Sequence, residues 1–170
     1  MIKGEHIYLR ALEPDDLDFL NRIENDAQLW QVGELHQPLS QFTLKAYLEN
    51  AHQTLAEAGQ LRLAICKDSN ELIGLVDLFD YNPLHQRAGV GIVIDSNYQQ
   101  KGFAKETLQL LFSYAKDHLL LHQLHCHIQS SNSTSIHVFQ SVGFKQSGIL
   151  EDWLRTADGF EDVIQFQRIL

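Results

Sequence analysis

The sequence predicts an α/β domain of the α+β kind, a mostly antiparallel central sheet flanked by helices in the order β αα βββ α β α ββ. Three observations carry that expectation. Short runs such as Ile92-Val93-Ile94 have the length and β-branching of buried strands. Longer segments repeat apolar residues at three- and four-residue spacing, as one buried helix face requires. Tight turn clusters, Asp68-Ser69-Asn70 and Ala157-Asp158-Gly159, join strand-like runs directly, which makes those neighbours antiparallel hairpins.

Each element follows in chain order. Residues 6–10 alternate and open the sheet. Glu13-Pro14-Asp15-Asp16 starts a helix, with proline and acids in its first turn and Leu17, Leu20 and Ile23 on one side. Residues 30–38 are irregular. A second helix runs from Ser40, with Leu44, Tyr47, Leu48, Ala51 and Leu55 as its apolar face, to a stop at Gly59. Strands at 61–67, 72–79 and 87–94 follow, the second broken by Asp80-Tyr81-Asn82-Pro83. A helix with Leu108, Leu111, Phe112 and Ala115 on its buried face precedes a strand at 123–129. A short helix over 132–141, closed by Gly143-Phe144, leads to strands at about 146–155 and 160–168.

Composition narrows the function classes. A chain of 170 residues buries enough apolar surface for one domain, 1–170, and 44% hydrophobic residues with 3 prolines describe an ordinary globule. The formal charge of −9 argues against a general nucleic-acid binder and mildly favours a cationic substrate. No apolar run reaches a membrane helix's length, and the first residues lack a leader's apolar segment, so a cytoplasmic protein is expected. Cys66 and Cys126 sit in apolar stretches and read as buried thiols.

The stretch with most chemistry is 91–116. A buried strand ends in the turn Asp95-Ser96-Asn97-Tyr98, passes through Gln99-Gln100-Lys101-Gly102-Phe103-Ala104-Lys105 and becomes a helix. Such a junction leaves backbone N–H groups unpaired along the helix axis, where they can hold an anion. Gly102 and Ala104 keep side chains out of a phosphate's approach, and Lys101 and Lys105 add charge. The glycine spacing is neither a Walker A loop nor a dinucleotide fingerprint.

Gln99-x-x-Gly102-x-Ala104 resembles the [Q/R]-x-x-G-x-[G/A] loop of the GNAT acetyltransferases. Some 30 residues on, a helix opened by Asn132 and ended by Gly143-Phe144 is similar to that superfamily's other signature. Together, in the right element order, they identify the chain as GNAT-like. The opening YLRALEPDDL and the ending DGFEDVI resemble the spermidine and ribosomal-protein N-acetyltransferases. The resemblance implies acetyl-CoA as co-substrate, no metal, and a gap between the strands at 87–94 and 123–129. Ile92, Val93 and Ile94 would hold the pantetheine arm. Gln99, Gln100, Lys101, Gly102, Phe103, Ala104 and Lys105 would take the pyrophosphate, and Asn132 and Ser135, with Phe139 beside them, would line the arm from the last helix.

The implied reaction is direct attack of an amine on the thioester. Freeing the lone pair of an amine with pKa about 10.4 at pH 7 costs roughly 4.6 kcal/mol, whereas releasing a thiol of pKa about 8.5 as thiolate costs only about 2 kcal/mol. A base therefore matters more than an acid. Many members place a tyrosine acid where this chain has Phe139, the spermidine enzymes carry a glutamate where Gly89 stands, and of their clustered glutamates only Glu34 is present. Asp77 and Glu34, with Asp80 through water, are the candidates for base or amine recognition. The first expectation for the acceptor is a protein N-terminus or small amine, since an α-amine of pKa about 8 is roughly 3 kcal/mol easier to deprotonate. A diamine or polyamine is the alternative, favoured by the resemblance and the acidic charge; a catalytically silent acyl-CoA-binding module is the third. Self-association is left open.

Two further groups invite other readings. His125 and His127 share a strand face while Cys126 points away, so they close no metal site. Trp30 and Trp153 are expected in the core more than in an acceptor pocket.

Overall fold

The computed structural model describes residues 1–30 and 37–170. Its strands form one eight-stranded sheet in the order β1-β2-β3-β4-β5-β6-β8-β7. These are β1 (Ile2–Lys3), β2 (Ile7–Ala11), β3 (Leu61–Lys67), β4 (Leu72–Asn82), β5 (Arg87–Ile94), β6 (Gln123–Gln129), β7 (Lys145–Thr156) and β8 (Gly159–Ile169). All neighbours are antiparallel except β5 and β6, which run parallel. The predicted mixed, mostly antiparallel sheet flanked by helices is the observed fold.

Helices cover both faces because successive strand residues point to opposite sides. On one face Ile7, Leu9, Ile65, Ile73 and Val90 meet Leu108, Leu111, Phe112 and Ala115 of α5 (Phe103–Asp117), together with Phe139 of α6 (Ser133–Ser141). On the other, Tyr8, Ala64, Cys66 and Leu75 meet Leu20 and Ile23 of α1 (Leu17–Glu24) and Tyr47 and Leu48 of α3 (Gln41–Glu49). Each fully buried Leu, Ile, Val or Phe among them contributes about 1.5–3 kcal/mol. Short α2 (Ala27–Trp30) and α4 (Leu55–Ala58) complete the α-helices of the described residues, and single 3-10 turns stand at Pro14–Asp16 and Ser96–Tyr98.

Several elements depart from expectation. The helix expected over 40–59 is two. Asn50 ends α3 by turning its side-chain amide back onto the Ala46 carbonyl, and Thr54 with Glu57 forms a capping box that starts α4. Strand β4 continues to Asn82, bending through a register shift with Asp80 at φ 49°. The edge strand β1 adds a two-residue pairing that the alternation did not reveal. Trp153 is 60% exposed on β7, not in the core, whereas Trp30 is half-buried and donates its indole N–H to the Glu24 carbonyl. No described helix is long and apolar enough to cross a membrane.

Candidate active site

The turn after β5 is built by its own side chains. Asp95, 4% exposed, accepts from the Asn97 amide at 3.0 Å and from Arg22 at 2.7 Å. Burial pushes its carboxyl up, but the Asn97 amide and Arg22 more than offset this and hold it below the ordinary range. Gln99 donates its side-chain amide to the Ile94 carbonyl at 3.0 Å, tying the loop back to the strand end. Lys101 donates to the Asn97 carbonyl at 2.8 Å and lies over the Tyr98 ring. Gln100 and Gly102 both take left-handed backbone, at φ 60° and 85°.

Gly102 is the N-cap of α5, and no side chain caps that end. The first amide tied into the helix there is Glu106, which donates to the Gly102 carbonyl. The amides of Phe103, Ala104 and Lys105 precede it and point out of the helix end. A Cβ placed on Gly102 would meet nothing within 4 Å, so the approach is open. The side chain of Glu106, an acid that would repel an anion here, turns away and accepts from the Glu5 and His6 amides at 2.8 and 2.9 Å.

Strands β5 and β6 then supply a cleft. They pair only at Arg87↔Gln123, Ala88↔Leu124 and Gly89↔His125. Beyond those positions 90–94 and 126–129 part, leaving one backbone edge of Ile92, Val93 and Ile94 without a strand partner. Asn132 caps α6 by accepting from the Ser135 amide at 3.1 Å, with both residues half-buried at the cleft's far side. Phe139 is 3% exposed and stands edge-on to Phe144, their centroids 5.0 Å apart, so it serves the core. Open cradle, outward amides and unpaired strand edge fit a nucleotide diphosphate with a long amide-bearing arm.

On the α1/α3 face β5 carries no side chain at Gly89 and Gly91, and Val93 beyond them packs into the core there. Phe79 lies over Gly89 so closely that a Cβ would fall within its ring, and no acid could stand at that position without displacing it. Asp77 pairs in register with Gly91 and opposite Arg62. Both its oxygens accept from Arg62, at 2.6 and 3.1 Å, and Arg62 also donates to Glu24 and lies over Tyr47. Burial pushes the Asp77 carboxyl up, and Arg62 only partly pulls it back. Asp80 lines a separate polar cleft of ≈ 590 Å³ with Arg87, His125, His127 and Gln165. Glu34 lies outside the described residues.

Sequence reasoning missed Arg62 as the partner of Asp77 and Glu24 as the second acid on Arg62. Symmetric pairing around the Asp68-Ser69-Asn70 turn would set Arg62 across from Val76; a register shift between Ile65 and Cys66 moves it opposite Asp77, which the hairpin alone does not reveal. His125 is half-buried, Cys126 2% exposed and His127 exposed, which is the alternation expected. Burial pushes the Cys126 thiol up to about 12, leaving it unreactive. Among the described residues no group of three or more His, Cys, Asp or Glu is placed to hold a metal ion.

Residues 6–145 match the family model described as "Acetyltransferase (GNAT) domain". The chain belongs to the GNAT acetyltransferase family. It is thus an N-acetyltransferase with acetyl-CoA as co-substrate. It is 28% identical over 160 residues to the spermidine N(1)-acetyltransferase of Vibrio cholerae, covering 94% of this chain and 91% of that one. The solved structure of spermidine N-acetyltransferase from Vibrio cholerae in complex with CoA and spermine superposes with a TM-score of 0.88 at 25% identity, over 96% of this chain and 95% of that one. A dodecameric structure of the Vibrio cholerae enzyme gives 0.81 at 26% identity, over 96% and 94%.

Proposed function

We propose that this GNAT enzyme acetylates a primary amine of a diamine or polyamine. The observation that carries acetyl transfer is the parting of β5 from β6 beside the uncapped, unobstructed N-terminus of α5. Residues 99–105 take the pyrophosphate, the edge of Ile92, Val93 and Ile94 takes the pantetheine arm and polarises the thioester carbonyl, and Asn132 and Ser135 border the arm.

The acceptor follows from the relatives and from charge. Likeness to spermidine acetyltransferases over nearly the whole chain favours the polyamine over the protein N-terminus that amine basicity alone suggested. The formal charge of −9 draws a polycation toward the molecule. On the acceptor face Asp77 holds Arg62 in place and, with Glu24, sets the local field. The spermidine-type glutamate is absent at Gly89 because Phe79 fills that space. With Phe139 in the core, the thiolate leaves without a side-chain acid, at the modest cost of about 2 kcal/mol near neutrality. The β7–β8 hairpin, with Ile149, Trp153 and Phe160 at 54, 60 and 65% exposure, is the surface for self-association.

Thiol release from acetyl-CoA, followed with spermidine, a short diamine and peptides with free N-termini, tests this. Turnover with spermidine and little with peptides is expected. Faster turnover with peptides overturns the polyamine assignment, and acetyl-CoA uptake without turnover on any amine would return the silent binding module.

A further inference from the structure

Because β5 has no side chain at Gly89 and Gly91, a group that takes a proton from an attacking amine there comes from an element packed beside it; Glu24 of α1 is held by Arg62, which leaves the two flanking strands. Register names two titratable groups: Asp77, beside Gly91 on β4, and His125, beside Gly89 on β6. Asp77 has both oxygens committed to Arg62. His125 makes no hydrogen bond to its ring among the described residues. It occupies the last paired position before the strands part, so its half-buried ring stands where the cleft narrows to its apex. The ring sits edge-on to Phe79, centroids 6.4 Å apart, and faces the polar cleft that opens to solvent past His127, 6.1 Å away.

Resting on the acetyltransferase reading above, we infer that His125 is the catalytic base, taking the proton of the acceptor ammonium at the cleft apex and releasing it through the polar cleft. The groups facing it are Phe79 and Asp80 from β4, Arg87 from β5, His127 on its own strand and Gln167, its register partner on β8. Burial lowers its pKa below the ordinary histidine value, His127 adds to that, Asp80 opposes, and Arg87 lowers it again. The ring is therefore neutral at pH 7, with a lone pair to offer.

The step balances as follows. The ammonium gives one proton to His125, and the freed nitrogen lone pair forms the N–C bond at the thioester carbonyl. The C–S bond breaks with its electron pair on sulfur, and the second proton leaving nitrogen ends on that sulfur through solvent. Products are the N-acetylamine, free thiol and one proton, which His125 passes to water.

The test is His125→Gln, assayed with spermidine at saturating acetyl-CoA across pH 5.5–9. In the native enzyme kcat falls on the acid side through the His125 pKa. In the variant kcat at pH 7.5 drops about 100-fold, the acid limb disappears, and added imidazole restores part of the rate, while calorimetric acetyl-CoA affinity is kept. Unchanged kcat, or a retained limb, overturns the assignment. Should the variant lose acetyl-CoA uptake as well, NMR titration of His125 in the native protein decides: a pKa apart from the kinetic limb overturns the assignment, and coincidence upholds it. A native protein silent toward every amine strikes the acetyltransferase reading itself and this assignment with it, an outcome distinct from a fully active variant.

Discussion

The two helices that border the cleft begin in opposite ways. Helix α6 opens on Asn132, whose side-chain oxygen accepts from the Ser135 amide at 3.1 Å. Helix α5 opens on Gly102, which has no side chain to give, and its first amides stay outward. Free N–H groups at a helix start cost stability unless something satisfies them. The difference assigns the ends. One is closed by its own chain, whereas the other is left open, as the proposed pyrophosphate site requires.

Filling the open end breaks the contrast most. Gly102→Glu places a carboxylate in the cradle and should weaken acetyl-CoA binding at least about 100-fold, or roughly 2.8 kcal/mol, by calorimetry. A left-handed backbone also strains any L residue by about 1–2 kcal/mol. Gly59→Glu is the control, because Gly59 is likewise left-handed, at φ 69°, with nothing within 4 Å of a Cβ. Both variants should lose similar stability, and only the first should lose affinity. Equal affinity in the two would remove the pyrophosphate from this loop.

A smaller effect tests why α5 tolerates an acid in its first turn. Glu106 accepts from the Glu5 and His6 amides and contacts the His6 ring at 3.1 Å, with its side chain 20% exposed. Burial pushes its carboxyl up, but those amides and His6 outweigh this and hold it below the usual carboxylate range. A carboxyl depressed on folding stabilises the fold above its unfolded pKa, about 4.3, and that gain is lost as pH falls through the folded value. Glu106→Gln should therefore cost about 1.5 kcal/mol at pH 7, near 5 °C in Tm, and the deficit should shrink as pH drops below 4. Acetyl-CoA affinity should hold. A fall matching that of Gly102→Glu would mean that the acid shapes the cradle itself.

What the sequence disclosed about these ends was local. Gln99, Gly102 and Ala104 were legible because strand, turn and helix lie within one stretch, and Asn132 because capping is a short-range rule. The parting of β5 from β6 was not readable from residues alone, since it depends on which strands meet and where they stop meeting; the family resemblance supplied it. Arg62 was overlooked because a register shift between Ile65 and Cys66, invisible in the residues, is what brings it opposite Asp77. The split between α3 and α4 was written in the Thr54–Glu57 capping box and hidden by an apolar spacing that ran through it. Trp153 defied the core expectation because it lies on β7, the edge strand of the sheet, where it stays 60% exposed. His125 was weighed only as a metal ligand, and its place at the apex emerges only with the pairing of β6.

The closed end yields the finest distinction. Asn132→Ala removes the cap and should cost about 1 kcal/mol, seen as a Tm fall of a few degrees. Asn132 also carries an amide NH2, for which no acceptor is found among the described residues and which the proposed course of the pantetheine arm would pass. Asn132→Ser separates the two duties, since serine caps comparably but offers no such amide. If the residue only caps, serine should restore both Tm and the KM for acetyl-CoA. If the amide also meets the arm, serine should restore Tm while KM stays about fivefold high, the worth of one neutral hydrogen bond near 1 kcal/mol. The second outcome is expected, because Asn132 is half-buried and its cap uses only the side-chain oxygen, which leaves the amide free for the arm.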